Sequence, residues 1–543
     1  MSGTGRLLSI GITHPLHGRI VLTDAPPFPE DRRDDPAVVR AYRAALADPA
    51  RSGAGFAFAA GATEAFFRDD RIPVVRGTTA AAAWEITTFA PAGRRGVVQL
   101  ARWSGTAPDG TWTGTLRLGR AAYTQLTEGG PLPPAESAPE TIREGDLLTI
   151  HDPALGAAAA LVVRAPVAEG QGWGAVATAA IGPDVASAAA EALALADGGA
   201  VLLDREAPRP ELARLPWPVR RAVAYVLDCA ATQVGPDTIA LLADHELLPL
   251  VWTRDAYFSC ALLQRLPAAT GGHEIVAAFV RWLYTTAERP GGWWPRSSLA
   301  SGQAKDRAFQ LDQQLYPVLL AHQTGRFRDE AAAVLEKLLG RRAPFGLSAT
   351  DETPADDRLV QPYHFSSHVL LWHTLATAGH PEAEAVRAAT LRHFASGDGF
   401  AYAVSGPDGA GARDYHDAND LPTALAPAWG FCAADDPRWR ATIARAWSPA
   451  NVGFFPGPFG GLGSLHTPHP WPLGDLQAWI IAIARGEAGD RAEVEARLGA
   501  VETWDGLLPE AYDEVTGAVA SRHWFAWPAA VRAWLGIEAP TGG

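Results

Sequence analysis

Carboxylates stand beside His, Asn or Trp in several short strings of the second half of the chain, a combination that can bind polar ligands or transfer protons. The densest string, 415–423, contains His416, Asp417, Asn419 and Asp420, and an apolar run follows it at once. Side-chain oxygens at such a place suit the cap and first turn of a helix, because they accept hydrogen bonds from unpaired backbone N–H groups. A single string of this kind is ordinarily a helix cap. Its recurrence favours a functional site.

The same arrangement, a polar string followed by a helix, recurs elsewhere after residue 245. Carboxylates can serve as general acids and bases, while Trp and Arg bind ligands. The candidate pocket residues in these strings are Trp252, Arg254, Asp255, Asp312, Gln313, Asp356, Asp357, Asp417, Asn419, Asp420, His466, Thr467, Trp471, Glu510 and Trp524.

From about residue 215 the period of the apolar residues changes from two to about 3.6, which predicts helices. The predicted helices lie near 216–233, 254–266, 272–288, 309–324, 328–340, 364–378, 381–396, 420–434, 436–447, 471–485, 490–499 and 523–536. Twelve helices in consecutive hairpins predict an (α/α)6 toroid, with six inner helices ringed by six outer ones. The polar strings precede the even-numbered helices. If those helices form the inner ring, all the strings meet in one pocket.

Residues 1–205 have a different pattern, with short apolar runs between Gly, Pro and Asp turns. The segment 110–116 alternates as a half-buried antiparallel strand does. This pattern predicts an N-terminal β-sandwich domain, with one helix near 36–47 inserted among its strands. A helix at 185–196 and the Pro-rich 207–210 are interpreted as a linker, so the toroid takes residues 206–543.

Composition excludes several partners. The net charge is −14 over 543 residues and no basic stripe occurs, which argues against nucleic acid or an anionic membrane as a partner. No apolar run reaches the ~20 residues of a membrane span, and residues 1–13 have no secretory h-region. We therefore expect a cytoplasmic protein without a membrane partner, and an oligomer is possible.

Paired carboxylates together with Trp and Arg are the groups that glycoside hydrolysis uses. Metal chemistry is the competing use of Asp and His, but no HExxH or similarly tight ligand spacing occurs. Neither a metal nor any other cofactor is predicted. The predicted partner is an oligosaccharide or glycoside substrate. A terpene cyclase or prenyltransferase on the same toroid would need an aspartate-rich magnesium motif or a zinc site, and the sequence has neither.

Seven short motifs occur in order over roughly 245–537: LPLVWTRDA at 248–256, FQLDQQLYP at 309–317, TPADD at 353–357, DAN at 417–419, GSLHT at 463–467 with WPL at 471–473, PEAY at 509–512 and WFAW at 524–527. They resemble IPAMWLRDS, YELDSLCYP, RPSDD, DDANVPSLL, GSPHT with WPM, HESF and WFAW of glycoside hydrolase family 125. That family consists of the metal-independent exo-α-1,6-mannosidases, within the six-hairpin glycosidases.

The resemblance implies an exo-acting, inverting hydrolase that uses one Asp and one Glu. It places the general acid at Asp356 or Asp357 and the base, which activates water, at Glu510. In an inverting enzyme the two carboxyl groups stand about 6.5–9.5 Å apart. The sugar subsite implied by the resemblance contains Arg254, Asp255, Asp312, Asp417, Asn419, His466 and Thr467.

The chain departs from the family at several of these motifs: HES is replaced by PEA at 509–511, and RPSDD by TPADD at 353–357. These changes affect the prediction of which sugar is bound more than the prediction of hydrolysis. The alternatives are an α-glucosidase of glucoamylase or amylo-1,6-glucosidase type, which also joins a β-sandwich to an (α/α)6 barrel, and a non-catalytic sugar-binding protein. Trp293 and Trp294 are predicted to stack on sugar at the mouth of the pocket. The alternative is that they pack against other side chains of the protein.

Overall fold

In the computed structural model the described residues are 2–14, 17–26, 32, 35–48, 50–56, 58, 62–78, 80, 82–105, 112–120, 138–164, 174–206 and 208–538. The chain divides into two compact units, Met1–Ala213 and Arg214–Gly543. The predicted boundary at residue 205 lies within the first of them.

The first unit is rich in antiparallel strands. They are β1 Ser9–His14, β2 Gly18–Thr23, β3 Gly55–Phe56, β4 Ala62–Arg68, β5 Ile72–Thr78, β6 Ala82–Phe89, β7 Gly96–Gly105, β8 Trp112–Thr113, β9 Arg117–Arg120, β10 Glu140–Glu144, β11 Leu147–Asp152, β12 Ala157–Arg164 and β13 Ala175–Gly182. Helices α1, Pro36–Ala47, and α2, Val185–Arg205, complete the unit. The start of the predicted strand 110–116 lies outside the described residues.

Eight strands form one sheet in the order β10-β11-β12-β13-β7-β6-β5-β4, and β1-β2-β9 form a second sheet. Strand β12 shows how the large sheet separates two cores, because successive side chains of a strand point to opposite faces. Ala159 and Leu161 share a core with Ile20 of the small sheet. Ala160 and Val162 share another core with Leu195 of α2.

The interpretation of the α2 region as a linker is wrong. Helix α2 packs on the large sheet, with Ala188, Ala192 and Leu195 fully buried against it. The helix is apolar because it supplies one face of this core. It is also the one helix among the described residues that is long and apolar enough to cross a membrane, by length and composition alone.

The described part of the second unit contains twelve α-helices. They are α3 Trp217–Tyr225, α4 Thr253–Leu263, α5 Gly272–Thr285, α6 Leu311–Thr324, α7 Arg328–Leu339, α8 Phe365–Thr377, α9 Ala383–His393, α10 Leu421–Trp429, α11 Pro437–Ala446, α12 Pro472–Arg485, α13 Ala488–Ala500 and α14 Ala526–Glu538. A short π-helical turn, Val226–Ala230, continues α3.

Six of these helices form a closed inner ring. Helices α4, α6, α8, α10, α12 and α14 contact one another in succession, and α14 contacts α4 again. The sequence explains the two layers. Helix α6 is buried all round from Leu311 to Ala321, whereas outer helix α7 buries one stripe, Ala331, Val334, Leu335 and Leu338. The ring is the predicted (α/α)6 arrangement, with the even-numbered helices inside.

Short strands lie in the connections between these helices. They are β14 Ala231–Gly235, β15 Thr238–Leu241, β16 Leu250–Val251, β17 Ser297–Leu299, β18 Ala304–Asp306, β19 Tyr363–His364, β20 Ala395–Ser396, β21 Gly399–Phe400, β22 Ala403–Val404, β23 Phe454–Phe455, β24 Gly461–Ser464, β25 His469–Pro470, β26 Ala511–Tyr512 and β27 Val519–Ser521. Several of them fix the loops that precede the inner helices, as β24 with β25 does before α12.

Candidate active site

The residues just before the inner helices meet at one end of the ring. Trp252, Gln310, His364 and Asp420 are the N-cap residues of α4, α6, α8 and α10. The N-terminus of each helix carries unpaired N–H groups and the positive end of the helix dipole. A ring of such ends therefore favours the carboxylates that the sequence places there.

Arg254 lies at the centre of these carboxylates. Its guanidinium approaches Asp255 at 3.3 Å, Asp312 at 3.2 Å and Asp356 at 3.5 Å. Its Cζ also lies 4.9 Å from the centre of the Trp527 ring. The Arg254 side chain is only 5% exposed, so this cation sits at the floor of the site. It joins three of the other predicted site residues to one another.

Asp356 is held by donors from two inner-helix caps. Trp252 Nε1 donates to Oδ2 at 3.0 Å, and Gln310 Nε2 donates to Oδ1 at 2.7 Å. Its backbone is left-handed, with φ of 63°, a conformation that costs energy for a residue other than Gly. Burial alone would raise the pKa of Asp356, but Arg254 and Arg296 hold it below its ordinary value. This carboxylate is therefore ionised.

A second carboxylate, Glu352, lies beside Asp356 and was not predicted. Its Oε2 accepts from Gln310 Nε2 at 3.1 Å and from Arg296 at 3.2 Å. Arg296 is also paired with Asp306 on β18. Burial raises the pKa of Glu352 to about 7, with the charge of Arg296 opposing the shift and that of Asp356 adding to it.

Asp357 occupies a more open position than its neighbour. Its side chain is 43% exposed, against 18% for Asp356. His466 Nδ1 lies 3.1 Å from Asp357 Oδ1, although the two residues are 109 positions apart. This hydrogen bond raises the pKa of His466 to about 9, and the charges of Glu510 and Asp356 add to the shift. The two exposed side chains form the mouth of the site.

Glu510 lies directly before β26, the short strand that pairs with β27. Ser521 Oγ donates to its Oε2 at 2.5 Å, and Arg522 donates to Oε1. Burial would raise the pKa of Glu510, but the charge and hydrogen bond of Arg522 hold it below its ordinary value. The residue is thus a buried carboxylate that keeps its charge, which is the state that a general base needs.

Asp417 and Asn419 are linked within the densest string. Asp417 Oδ1 accepts from the Asn419 side chain at 2.8 Å, while Oδ2 accepts from Tyr415 Oη at 2.5 Å and Ser464 Oγ at 2.8 Å. Burial raises the pKa of Asp417, and the charge of Asp420 adds to the shift. Ser464 connects this string to the loop that carries His466.

His364 is a site residue that the sequence motifs did not predict. Its Nε2 lies 3.3 Å from Asp420 Oδ1, and both side chains are fully buried. Among the described residues, neither of these atoms has a hydrogen-bond partner of good geometry, nor does Oδ1 of Asp312. Buried polar atoms without partners are costly unless a ligand satisfies them. His364 could have been found from its place as the cap of an inner helix.

Other candidates make contacts that are structural. Gln313 Oε1 accepts from the backbone N of Arg254 at 3.2 Å and so ties α6 to α4. Trp471 Nε1 donates to the Thr467 carbonyl at 3.1 Å, which closes the loop before α12. Trp524 faces Asp505, which is not among the predicted site residues, and its Nε1 donates a hydrogen bond to Asp505 Oδ2 at 3.1 Å.

The two tryptophans predicted to stack at the mouth differ in burial, because Trp294 is fully buried and Trp293 is half-buried. Trp294 is 1% exposed and its Nε1 donates to the Leu283 carbonyl at 3.0 Å. Trp293 packs edge-on against Phe309, with the Lys337 ammonium 4.2 Å from its ring centre. Trp294 therefore packs, whereas the stacking of half-buried Trp293 on sugar stays a prediction.

One group of side chains has the spacing of a metal site among the described residues. His469, Asp513 and Glu514 offer ligand atoms within 4.8 Å of one another. His469 Nδ1 lies 2.9 Å from Glu514 Oε2, so these two groups already satisfy each other. The predicted absence of a metal remains a prediction.

A sequence profile of glycoside hydrolase family 125, described as a metal-independent α-mannosidase, matches residues 365–534. The match includes Asp417, His466 and Glu510 and begins after Asp356 and Asp357. No curated protein matches the sequence.

Solved structures resemble the chain at low sequence identity. A bacterial glucoamylase complexed with acarbose is 13% identical, covers 87% of this chain and 84% of its own, and has a TM-score of 0.61. A metal-independent α-mannosidase from Streptococcus pneumoniae, in a non-productive complex with α-1,6-mannobiose, is 19% identical, covers 59% of this chain and 92% of its own, and has a TM-score of 0.48. The glucoamylase likeness shows a shared fold. The profile match confirms the resemblance to family 125 that the motifs predicted, and the chain is a glycoside hydrolase on the six-hairpin fold.

Proposed function

We propose that this glycoside hydrolase is an exo-acting, inverting and metal-independent enzyme that removes a terminal α-mannoside. The sugar follows from the description of the matching family, metal-independent α-mannosidase. The observation that carries the proposal is the arrangement of carboxylates: Glu510 is held ionised by Arg522, and the Asp356–Asp357 pair lies in the same site.

The graded exposure of the site supports an exo mode of action. Arg254 and Asp312 are 5% and 2% exposed at the floor, whereas Asp357 and His466 are 43% and 45% exposed at the mouth. A pocket that closes at one end accepts the end of a chain, because an internal sugar would need space on both sides. Oδ1 of Asp312, which has no hydrogen-bond partner among the described residues, and the facing atoms of His364 and Asp420 are suited to the hydroxyls of that terminal ring.

In the proposed reaction Glu510 takes a proton from a water molecule as the water oxygen attacks C1 of the sugar. One carboxyl of the Asp356–Asp357 pair protonates the glycosidic oxygen as its bond to C1 breaks. Because water attacks from the face opposite the leaving group, an α-mannoside gives β-mannose. Arg254 stays charged throughout and holds Asp312 and Asp356 in place.

The test compares the wild-type protein with Glu510→Gln on α-1,6-mannobiose, with Glu502→Gln as the matched control. Glu502 accepts a hydrogen bond from the backbone N of Val519 on β27, the strand that also carries Ser521, a donor to Glu510. Glu502 itself lies outside the site. Wild type and Glu502→Gln should release mannose at similar rates, while Glu510→Gln should be slower by about 10²–10⁴-fold. Equal rates for all three proteins would contradict the role of Glu510.

An α-glucoside is the alternative substrate, and isomaltose tests it in the same assay. The bacterial glucoamylase covers both units of this chain, although at 13% identity that likeness supports only the fold. Cleavage of isomaltose in preference to α-1,6-mannobiose would assign the enzyme to α-glucosides. If the enzyme cleaves neither sugar, the mannosidase assignment is contradicted.

A further inference from the structure

We propose that the first unit contains a non-catalytic binding site for a neutral sugar, in a pocket formed by the large sheet and the end of α2. The pocket has a volume of about 350 Å³, within the range of about 300–1,000 Å³ that is typical of small-molecule sites. Its lining residues come from β4, β5, β6, β7 and the last turn of α2. All of them belong to the first unit, whereas the candidate active site belongs to the second.

The floor of the pocket is a row of side chains across three strands. Val74 lies directly opposite Phe66 on one side and Thr87 on the other, so all three point to the same face of the sheet. Leu203 completes the floor, because α2 packs on this face. Val74, Thr87 and Leu203 are at most 3% exposed, whereas Phe66 is half-buried. The floor is therefore mostly apolar, with one accessible aromatic ring.

A second row of opposed residues carries charge. Glu85 lies opposite Arg76 and Arg102, and each arginine has a nitrogen 2.7 Å from one of its oxygens. The Glu85 side chain is 10% exposed, while those of Arg76 and Arg102 are 54% and 50% exposed. Burial would raise the pKa of Glu85, but the two arginines hold it below its ordinary value. This row thus combines an ionised acceptor with two planar groups that donate hydrogen bonds.

The charges in and beside the pocket balance. Besides the row around Glu85, the lining includes Arg68 and Asp204, and Arg68 is paired with Asp69 at 3.4 Å. Three arginines therefore stand against three carboxylates. A ligand with a large net charge needs a site of opposite charge, so this balance favours a neutral polar ligand.

A sugar makes both kinds of contact that the pocket offers. Its hydroxyl groups donate to a carboxylate and accept from guanidinium groups, while the C–H groups of its ring pack on apolar and aromatic side chains. Phe66 and Arg76 provide the two kinds of contact side by side, because Arg76 Cζ lies 4.7 Å from the centre of the Phe66 ring. The pocket thus extends sugar binding beyond the site at which the glycosidic bond is cleaved.

The experiment measures hydrogen exchange of the full-length Glu510→Gln protein by mass spectrometry, with and without α-1,6-mannobiose. The choice of this probe rests on the proposed function, so isomaltose is tested beside it. A sugar in the pocket should slow exchange in peptides from residues 62–89. Strand β4 is the last strand of the large sheet, and edge strands open readily, so it is a sensitive reporter. A sugar in the candidate active site should instead slow exchange in the loops at 353–357 and 463–467.

Three further changes, each made in the Glu510→Gln protein, locate the sugar. Phe66→Ala removes the aromatic ring and Glu85→Gln removes the charged acceptor. Each should raise the sugar concentration needed for half of the protection at 62–89 by about 10-fold or more. Phe67→Ala is the control, because successive residues of a strand point to opposite faces and Phe67 does not line the pocket. It should leave this concentration unchanged. Unaltered exchange at 147–164 without sugar shows that the first unit of each variant is folded.

Inorganic phosphate distinguishes a sugar site from an anion site. Glu85→Gln makes the pocket more positive, so it should strengthen phosphate binding while it weakens sugar binding. Protection of 62–89 by phosphate but by neither sugar would overturn the proposal. No protection there by either sugar would also overturn it, as would protection that Phe66→Ala and Glu85→Gln leave unchanged. Sugar binding at the candidate active site is measured on its own loops, so a failure there contradicts the proposed function and is distinguished from a failure at the pocket.

Discussion

Trp252 and Asp356 are 104 positions apart, yet the indole Nε1 of one donates a hydrogen bond to Oδ2 of the other at 3.0 Å. The contact joins the cap of the first inner helix to the loop before the third. Because Asp356 has a left-handed backbone, with φ of 63°, such contacts are what hold its carboxylate in place.

Replacing Trp252 by Phe keeps an aromatic ring but removes this donor. One hydrogen bond to a charged group is worth about 1.5–3 kcal/mol, so kcat/KM should fall by roughly 10- to 100-fold. Trp282→Phe is the control, since Trp282 is also buried, in outer helix α5, and donates to the Ala300 carbonyl at 2.8 Å. It should lower stability without a comparable change in kcat/KM. Similar losses of activity in the two variants would contradict a role for the Trp252–Asp356 contact.

Arg254→Met removes the cation that Asp255, Asp312 and Asp356 share. Removing one partner of a buried ion pair costs about 3–5 kcal/mol, so chemical denaturation at pH 7 should show a loss of this size together with loss of activity. The deficit should shrink at lower pH, as the carboxyls become neutral. Arg342→Met breaks a more exposed pair with Glu382 at 2.8 Å and should cost less than about 1 kcal/mol. An Arg254→Met protein as stable as Arg342→Met would contradict the central role of Arg254.

The raised pKa of Glu352 predicts a pH dependence of stability. Its value is about 7 in the folded protein and 4.5 as the ordinary value, so the folded state favours the neutral carboxyl. The contribution of Glu352 to stability is therefore greatest below pH 4.5 and declines as the pH rises towards 7. Relative to Glu352→Gln, wild type should lose unfolding free energy between pH 5 and 8, measured by urea denaturation. A constant difference between the two proteins would show that Glu352 does not titrate in this way.

Gly463 allows the close pairing of β24 with β25 that shapes the His466 loop. A Cβ at this position would lie 1.8 Å from the His469 carbonyl oxygen, so the two strands would have to separate. Gly463→Ala should cost about 1–3 kcal/mol of stability and lower activity, as measured by thermal unfolding and mannobiose cleavage. Gly499→Ala is the control, because nothing lies within 4 Å of its Cβ and Ala favours a helix. It should be neutral or stabilising.

The sequence predicted the helical unit well because the ring imposes a strong pattern. Inner helices are buried on all sides and outer helices on one stripe, so both the number of helices and their alternation are visible in the chain. Boundaries were less accurate. The first predicted helix, 216–233, stops earlier, because a π-helical turn at Val226–Ala230 leads into strand β14.

The missed site residues have a common physical cause. Glu352 directly precedes the motif at 353–357, but its partner Arg296 lies 56 positions away, so only folding brings the two together. His364 looks like a cap residue, and it is one, since its ring accepts from the Ser367 backbone N at 3.4 Å. Its second nitrogen faces Asp420, a relationship that local sequence does not contain.

The central claim is hydrolysis of an α-mannoside with inversion and without a metal. Proton NMR of wild-type protein with α-1,6-mannobiose in excess chelator tests it most directly, because the anomeric signal of the first product reports the stereochemistry before mutarotation. We predict that β-mannose appears first and that the chelator leaves the rate unchanged. Early α-mannose, a rate abolished by the chelator, or intact mannobiose under conditions in which a family 125 enzyme cleaves it would contradict the account.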